Sequence, residues 1–271
     1  MNEEGTATTR RKQVETILRD CGSVLVALSG GVDSALLAAV AARVLGERAA
    51  AVTAVSASLA PGELEDARAV AARAGIRHIE MPTDELEDPK YAANAPDRCF
   101  HCKNTAYGVF GELARREGFA AVADGANADD DGDYRPGRRA ASDHGVRSPL
   151  AEAGMGKEEV RSWARDLGLP VWDKPAAACL SSRIPYGSPV TREKLARVGA
   201  AEASLKTLGF RQCRVRHHGA VARIEIEPDH LAEALARRGE IAEVVKAAGF
   251  AYVALDLEGF RSGSMNEAMG K

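Results

Sequence analysis

Apolar runs alternate with helix-period segments through the first half of the chain. Residues 23–28 read as a buried strand, 35–45 as a helix closed by Gly46, and 50–56 as a second buried strand. A helix over 62–74, a short strand over 76–80, a helix over 102–116 and a strand over 119–124 follow. Strands separated by helices, with no hairpin signal between them, predict an α/β fold: a parallel, doubly wound sheet with helices on both faces. Ligands of such folds sit beyond the carboxyl ends of the strands.

Residues 127–147 are polar, rich in Asp, Arg and Gly and without a usable period, which predicts a long surface loop. A helix over 157–167 comes next, then an irregular stretch over 172–190. From Thr191 the pattern changes: Thr191 caps a helix that runs to about Leu208 and stops at Gly209. Two alternating runs, 213–217 and 221–227, flank the turn-like His218-Gly219 and predict a β-hairpin. Helical segments from His230 and up to Ala248 and a strand over 252–257 complete a smaller α+β domain. The expected domains are 1–150 and 151–271.

With 271 residues, 45% hydrophobic and 28% charged, the chain can bury a sizeable core, which excludes a disordered or disulfide-dense protein. The formal charge of -3 provides no general excess of positive charge to hold a nucleic acid. Residues 150–271 hold 18 Lys+Arg against 16 Asp+Glu, and the first 149 hold 18 against 23, so the C-terminal part is slightly basic. The first residues lack the apolar core of a secretory signal, and no apolar run approaches the roughly 20 residues that span a bilayer. The expected compartment is the cytoplasm, with no membrane partner. There, five cysteines (21, 99, 102, 179 and 213) read as ligands or reactive thiols more readily than as bridges.

Ser29-Gly30-Gly31-Val32-Asp33-Ser34 lies directly between the first strand and the first helix. Adjacent glycines let the backbone turn sharply and present N–H groups, and the helix start adds free donors and a positive dipole end. Ser29 and Ser34 can add hydroxyls, and Asp33 can hold a metal ion. A ligand-free tight turn would use the same glycines, but the strand–turn–helix context favours nucleotide binding. The loop lacks the Gly-Lys-Ser/Thr ending of a Walker motif. It resembles the pyrophosphatase-type (PP-loop) loop of the ATP-pyrophosphatase superfamily, which implies ATP and Mg2+ as cofactors and cleavage between the α- and β-phosphates. The same resemblance places the second strand (Thr53, Ala54, Ser56) and the segment holding Asp124, Gly125 and Asn127 near the nucleotide; by composition alone that segment is equally a turn.

Cys99-Phe-His-Cys102 has metal-ligand spacing near a helix start, with Arg98 and Lys103 to favour the thiolates. Cys179 lies between Lys174 and Arg183, which would also favour a thiolate, although an isolated Cys among alanines is equally a small buried hydrophobe. Cys21 and Cys213 read as packing residues.

These segments together resemble the LarE family of ATP-dependent sulfur transferases, above all 97–103, 124–130 and the stretch from Lys174 through Cys179, Ser182 and Arg183 to Gly187. The resemblance runs from about residue 15 to 260 and implies an adenine nucleotide alpha hydrolase-like fold. It also implies adenylation of a carboxylate of pyridinium-3,5-biscarboxylic acid mononucleotide, then its conversion to a thiocarboxylate, in making the nickel-pincer cofactor of lactate racemase. The product would pass to a downstream nickel-inserting enzyme, and a homo-oligomer is expected. Two sulfur sources are implied. Cys179 can attack and lose its sulfur, or Cys99, Cys102 and Cys179 can ligate a four-iron four-sulfur (4Fe-4S) cluster carrying an extra sulfide. Having all three thiols favours the cluster, and the counts leave sacrifice of Cys179 open.

Arg214 and Arg216 share one strand face. Pattern alone makes that face solvated, with Arg223, Glu225 and Glu227 opposite; the family likeness makes it a clamp for the substrate phosphate. By the same likeness Ser182, Arg183 and Glu202 line the substrate or metal site. The rivals are a tRNA thiolase, disfavoured by the charge balance, an amide-forming synthetase that needs no thiol, and a non-enzymatic nucleotide sensor.

Overall fold

The computed structural model describes residues 3–132, 136–175 and 178–261. The chain forms two compact units, the first made of Met1–Ser56, Gly62–Glu85 and Asp97–Ala176, the second of Ala57–Pro61, Leu86–Pro96 and Ala177–Lys271.

In the first unit, α1 (Glu3–Cys21) leads into β1 (Val24–Ala27), α2 (Val32–Leu45), β2 (Ala49–Val55), α3 (Glu63–Ala74) and β3 (Arg77–Pro82). The strands form a parallel sheet in the order β3-β2-β1-β4, where β4 is Ala121–Ala123. The two-residue period of the strands builds a separate core on each face. Val24, Val26 and Ala51 join Leu18 of α1, Leu36 and Leu37 of α2 and Val70 of α3 on one side. Leu25, Ala50 and Val52 join Tyr107, Phe110 and Leu113 on the other, all from α5 (Arg98–Glu117). The parallel sheet with helices on both faces is as expected.

Three departures from the sequence reading have local causes. The polar segment 127–147 is not a bare loop: it holds a 3-10 turn, Ala128–Gly132, and α6, Pro136–Asp143. Ala140 and Ala141 pack on Tyr107 and Phe110, and a Cβ on Gly137 would lie 2.6 Å from Lys103 Cδ, so small residues let α6 lie close against α5. α5 itself starts at Arg98, which moves Cys99 from a loop into the first helical turn. The expected boundary at 150/151 falls inside the first unit, because Val160, Trp163 and Ala164 of α8 (Lys157–Asp166) are buried in the core that also holds α2. The short α7 (Pro149–Glu152) precedes it.

In the second unit, α9 (Arg192–Thr207) is capped by Thr191, whose hydroxyl accepts the Lys194 N–H at 3.2 Å. The hairpin of β5 (Cys213–His218) and β6 (Val221–Ile226) is antiparallel, and β7 (Tyr252–Leu255) adds in parallel beside β6. Two helices, α10 (Leu231–Ala236) and α11 (Arg238–Ala247), separate β6 from β7. Leu195, Val198, Leu205, Val215, Ile224, Ile241 and Val245 are buried. The excursion Leu86–Pro96, containing α4 (Pro89–Ala92), supports the irregular 178–190 segment. Asn94, fully buried with φ +59°, donates its amide to the carbonyls of Ile184, Pro185 and Ser188 at 3.2, 2.8 and 2.8 Å.

His217 is buried on β5, edge-on to Phe250, and its Nε2 has no hydrogen-bond partner among the described residues. Burial first, then Lys194 and Arg197, hold its pKa below the ordinary 6.5. A depressed histidine pKa means that the unfolded chain binds the proton more readily. Its contribution to stability is therefore present above the unfolded pKa and is lost as pH falls. His217→Leu should reduce the loss of stability between about pH 7.5 and about pH 5.5, measured as the shift in urea midpoint; an unchanged shift would contradict this account.

Candidate active site

β1 is followed by Leu28, whose N–H donates to Val52 O at 2.8 Å, and the chain then turns through Ser29–Ser34 into α2. Gly30 has φ +80°, and a Cβ there would meet Glu63 O at 2.7 Å, so both the turn and the neighbour require glycine. The Ser34 hydroxyl shapes the loop from within: it accepts the Ser29 N–H and donates to Gly31 O, each at 3.1 Å. The expected phosphate donor role therefore falls to exposed Ser29 and to backbone N–H groups, because α2 starts after Gly31 with no side-chain cap.

The segment after β4 closes over this turn. A Cβ on Gly125 would lie 2.5 Å from Ser34 N, so the loop backbone rests directly on the first turn of α2. Asn127 Nδ2 donates to Asp33 Oδ1 at 3.0 Å, and Lys157 Nζ binds Asp33 Oδ2. Asp124, also expected near nucleotide, is buried and used structurally. It accepts the Tyr107 hydroxyl at 2.6 Å, the Ser148 hydroxyl at 2.7 Å and the Ala126 N–H at 3.2 Å. Burial, and then the Asp124 charge, push the Tyr107 pKa far up, so the phenol stays a donor.

On β2, Thr53 is buried and its hydroxyl donates to Leu28 O at 2.7 Å. That spends its one proton, so the His78 Nε2 at 2.8 Å is the donor to Thr53. Ser56 donates to Glu85 at 2.7 Å. Of the three expected positions, the hydroxyls of Thr53 on β2 and Ser56 just beyond it thus brace the strand end, and Ala54 offers only backbone.

At this site the sequence reading missed Lys157 and gave Lys174 a different role. Lys157 is 124 residues from Asp33. Lys174 is not directed to a thiolate: its Nζ donates to Gly30 O at 3.1 Å, Glu63 at 2.9 Å and Asp66 at 2.6 Å. No local signal in the sequence joins residues so far apart.

In the second unit, Cys179 is half-buried at the start of the 3-10 turn Leu180–Arg183, and its carbonyl accepts the Ser182 N–H at 3.0 Å. The Leu180 N–H donates to Ser58 O at 2.8 Å, and Ser181, fully buried, shares a hydrogen bond with Tyr91 of α4. Arg183 clasps the turn, donating to Ala178 O, Cys179 O and the Ser182 hydroxyl at 2.7, 3.1 and 2.9 Å. Its other nitrogens form a fork with Glu202 at 2.8 and 3.0 Å, and Glu202 also accepts the Val215 N–H at 3.0 Å. Glu202, expected as a metal ligand, is the almost fully buried counter-ion of Arg183. Burial tends to lower the Arg183 pKa, but Glu202 more than offsets it and the net shift is upward.

The face expected by pattern to be solvated is buried. Arg216 forks onto Glu225 at 2.9 and 2.8 Å and donates to Ser182 O at 2.8 Å. Arg214 differs: it stacks 4.6 Å over Phe260, and no carboxylate pairs with it among the described residues. Burial, with Arg183 and Arg216 nearby, brings its pKa down to about 10. Of the three arginines Arg183, Arg214 and Arg216, Arg214 is the one without a carboxylate partner among the described residues.

Cys99 is exposed and Cys102 half-buried, three residues apart on α5 and so on one helix face. Among the described residues no group of three His, Cys, Asp or Glu is placed to hold a metal ion. Cys213 is buried, as expected of a packing residue, and burial pushes its thiol up to about 12. Cys21 packs on the first core beside Arg147, and burial raises its pKa.

The asparagine synthase family model matches residues 9–129, the nucleotide part of the chain. An uncharacterized protein of Synechocystis, slr1717, is 50% identical over 91% of this chain and 93% of its own. Pyridinium-3,5-bisthiocarboxylic acid mononucleotide synthase of Lactiplantibacillus plantarum is 39% identical over 98% of this chain and 97% of its own. The chain belongs to the LarE family. It is an ATP-dependent, adenylating sulfur transferase of the PP-loop superfamily. The tRNA-specific 2-thiouridylase MnmA of Sphingopyxis alaskensis is 31% identical over 56% of this chain and 49% of its own, a partial likeness within that superfamily. In this LarE-family chain no helix among the described residues is long and apolar enough to cross a membrane.

Tyr107→Phe removes a donor from the buried Asp124. It should cost about 1–3 kcal/mol in urea unfolding and raise the KM for ATP in pyrophosphate release; a variant matching the parent in both would refute the bracing role. Alkylation with iodoacetamide near pH 8, followed by peptide mass mapping, should label Cys99 first and Cys213 last. Exposure favours the first, and a thiol pushed up to about 12 leaves almost no thiolate on the second.

Proposed function

We propose that the chain adenylates one carboxylate of pyridinium-3,5-biscarboxylic acid mononucleotide and replaces the adenylate with sulfur. This reading is supported by the pyrophosphate-type loop of the first unit and, within the second unit, by buried Arg214, with which no carboxylate pairs among the described residues. The family likeness supplies the substrate's identity.

A substrate carboxylate oxygen attacks the α-phosphorus of ATP, and the bond to the bridging oxygen breaks, releasing pyrophosphate. The Ser29–Ser34 loop and the N-terminus of α2 take up the charge of the leaving group. Mg2+ supplies further charge stabilisation when bound, and the hard carboxylate oxygens of Asp33 suit it, with Asn127 and Lys157 fixing that side chain. Arg214 binds the substrate phosphate, with Arg216 and Ser182 held around it by Glu225. Arg183 and Glu202 hold the Cys179 turn. The Cys179 thiolate attacks the acyl adenylate carbon and AMP leaves. Breaking the Cys179 Cβ–S bond, with loss of the α-proton, then yields the thiocarboxylate and dehydroalanine.

The other sulfur source would be a sulfide on a 4Fe-4S cluster, which Cys99, Cys102 and Cys179 would hold; the one-turn spacing of Cys99 and Cys102 favours those two as ligands. Five free thiols accord with a reducing cytoplasm. The family likeness also suggests a homo-oligomer that passes its product to a nickel-inserting enzyme.

Anaerobically purified protein with ATP, Mg2+ and the mononucleotide should release pyrophosphate only when the mononucleotide is present. Intact mass should then fall by the elements of hydrogen sulfide, and Cys179→Ala should keep adenylation but form no thiocarboxylate. Stoichiometric iron and sulfide with unchanged mass would shift the sulfur source to the cluster. Amide formation from ammonia by Cys179→Ala would overturn sulfur transfer altogether. Arg214→Met should raise the KM for the mononucleotide roughly tenfold or more.

A further inference from the structure

Lys174 belongs to the stretch that leads to Cys179, yet its ammonium is spent in the first unit, on the phosphate loop. Its three partners, Gly30 O, Glu63 and Asp66, account for all three protons of Nζ. Nothing is left to donate to a phosphate, so Lys174 is not a phosphate ligand. The two carboxylates stand one helical turn apart at the start of α3, and Glu63 O is the atom against which Gly30 is packed. The lysine therefore ties the loop to α3 at the one position where the backbone takes φ +80°.

The consequence lies in the peptide between Gly30 and Gly31. In a trans peptide the carbonyl and the following N–H point in opposite directions. Holding Gly30 O toward Lys174 aims the Gly31 N–H the other way, to the side where it meets the Ser29 hydroxyl at 3.5 Å. That side also carries the opening turn of α2. The lysine has a second effect, because Glu63 and Asp66 would otherwise place negative charge beside a site for a polyanion.

We propose that Lys174 is a positioning residue for the pyrophosphate site: it orients the Gly31 N–H donor and neutralises the two acids behind the loop. The proposal rests on reading that loop as the pyrophosphate cradle, and it is specific to the β,γ end of ATP. Loss of Lys174 should weaken inorganic pyrophosphate and ATP while sparing AMP, whereas a general loosening of the unit would weaken all three.

The test is titration calorimetry of the full chain with Mg2+ and, separately, inorganic pyrophosphate, ATP and AMP. Lys174→Gln should weaken pyrophosphate and ATP roughly tenfold, the scale of one hydrogen bond involving a charged group, and should leave AMP within about twofold. Lys174→Arg should recover part of the loss. If the exposed acids unfold Lys174→Gln, the neutral triple variant Lys174→Met, Glu63→Gln, Asp66→Asn removes that charge and should still bind pyrophosphate poorly. Unchanged pyrophosphate binding in a folded variant, or equal losses for AMP and pyrophosphate, would overturn the proposal alone. Failure of the parent chain to bind pyrophosphate would overturn the reading of the loop, and the proposal with it.

Discussion

The close approach of Gly125 to the first turn of α2 is the contact around which the nucleotide site is organised. A Cβ there would lie 2.5 Å from Ser34 N, so only a bare backbone brings the loop after β4 into register with the loop after β1. The parallel pairing of β1 with β4 delivers both loops to one end of the sheet. Once they touch, Asn127 reaches Asp33, and Asp124 is left to face inward, onto Tyr107 and Ser148. A segment that looks like a string of acidic ligands thus becomes one buried brace and one amide aimed at the site.

The second unit obeys a different constraint. Its irregular segment has little regular backbone pairing, and buried ionic forks replace it. Arg183 with Glu202 and Arg216 with Glu225 are almost wholly removed from solvent. Such pairs gain little net stability over an apolar core, since desolvation offsets attraction. They do fix geometry, because each fork also donates to or accepts from the backbone around Cys179, Ser182 and Val215. Against that balanced pair of forks, Arg214 stands out by having an aromatic ring where the others have a carboxylate. Asn94 and Tyr91 supply the remaining support from a short excursion that sequence order assigns to the other half of the chain.

Much of the fold was legible along the chain. The apolar runs of 23–28 and 50–56, the glycine stop at Gly46 and the Thr191 cap are local signals, and each appears as expected. The polar stretch 127–147 misled because α6 is recognisable only by its partner: Ala140 and Gly137 are unremarkable until α5 lies against them. For the site, the Ser29–Ser34 loop could be read directly, since its chemistry resides in backbone N–H groups and in the order strand, turn, helix. The roles of Glu202, Asp124 and Lys174 could not. Each is a charged side chain whose function depends on which polar partner folding brings to it.

Sequence alone therefore determined the parallel α/β architecture, the pyrophosphate loop and the family, through short-range periodicity and contiguous motifs. Only the tertiary structure decided which charges are free. Burial pairs Arg183 and Arg216 with carboxylates, commits Lys174 to the loop backbone and its two acids, and sets Arg214 over the Phe260 ring. The reason is physical: a charge removed from water must find its partner in space, and partly buried ion pairs here join residues up to 149 apart.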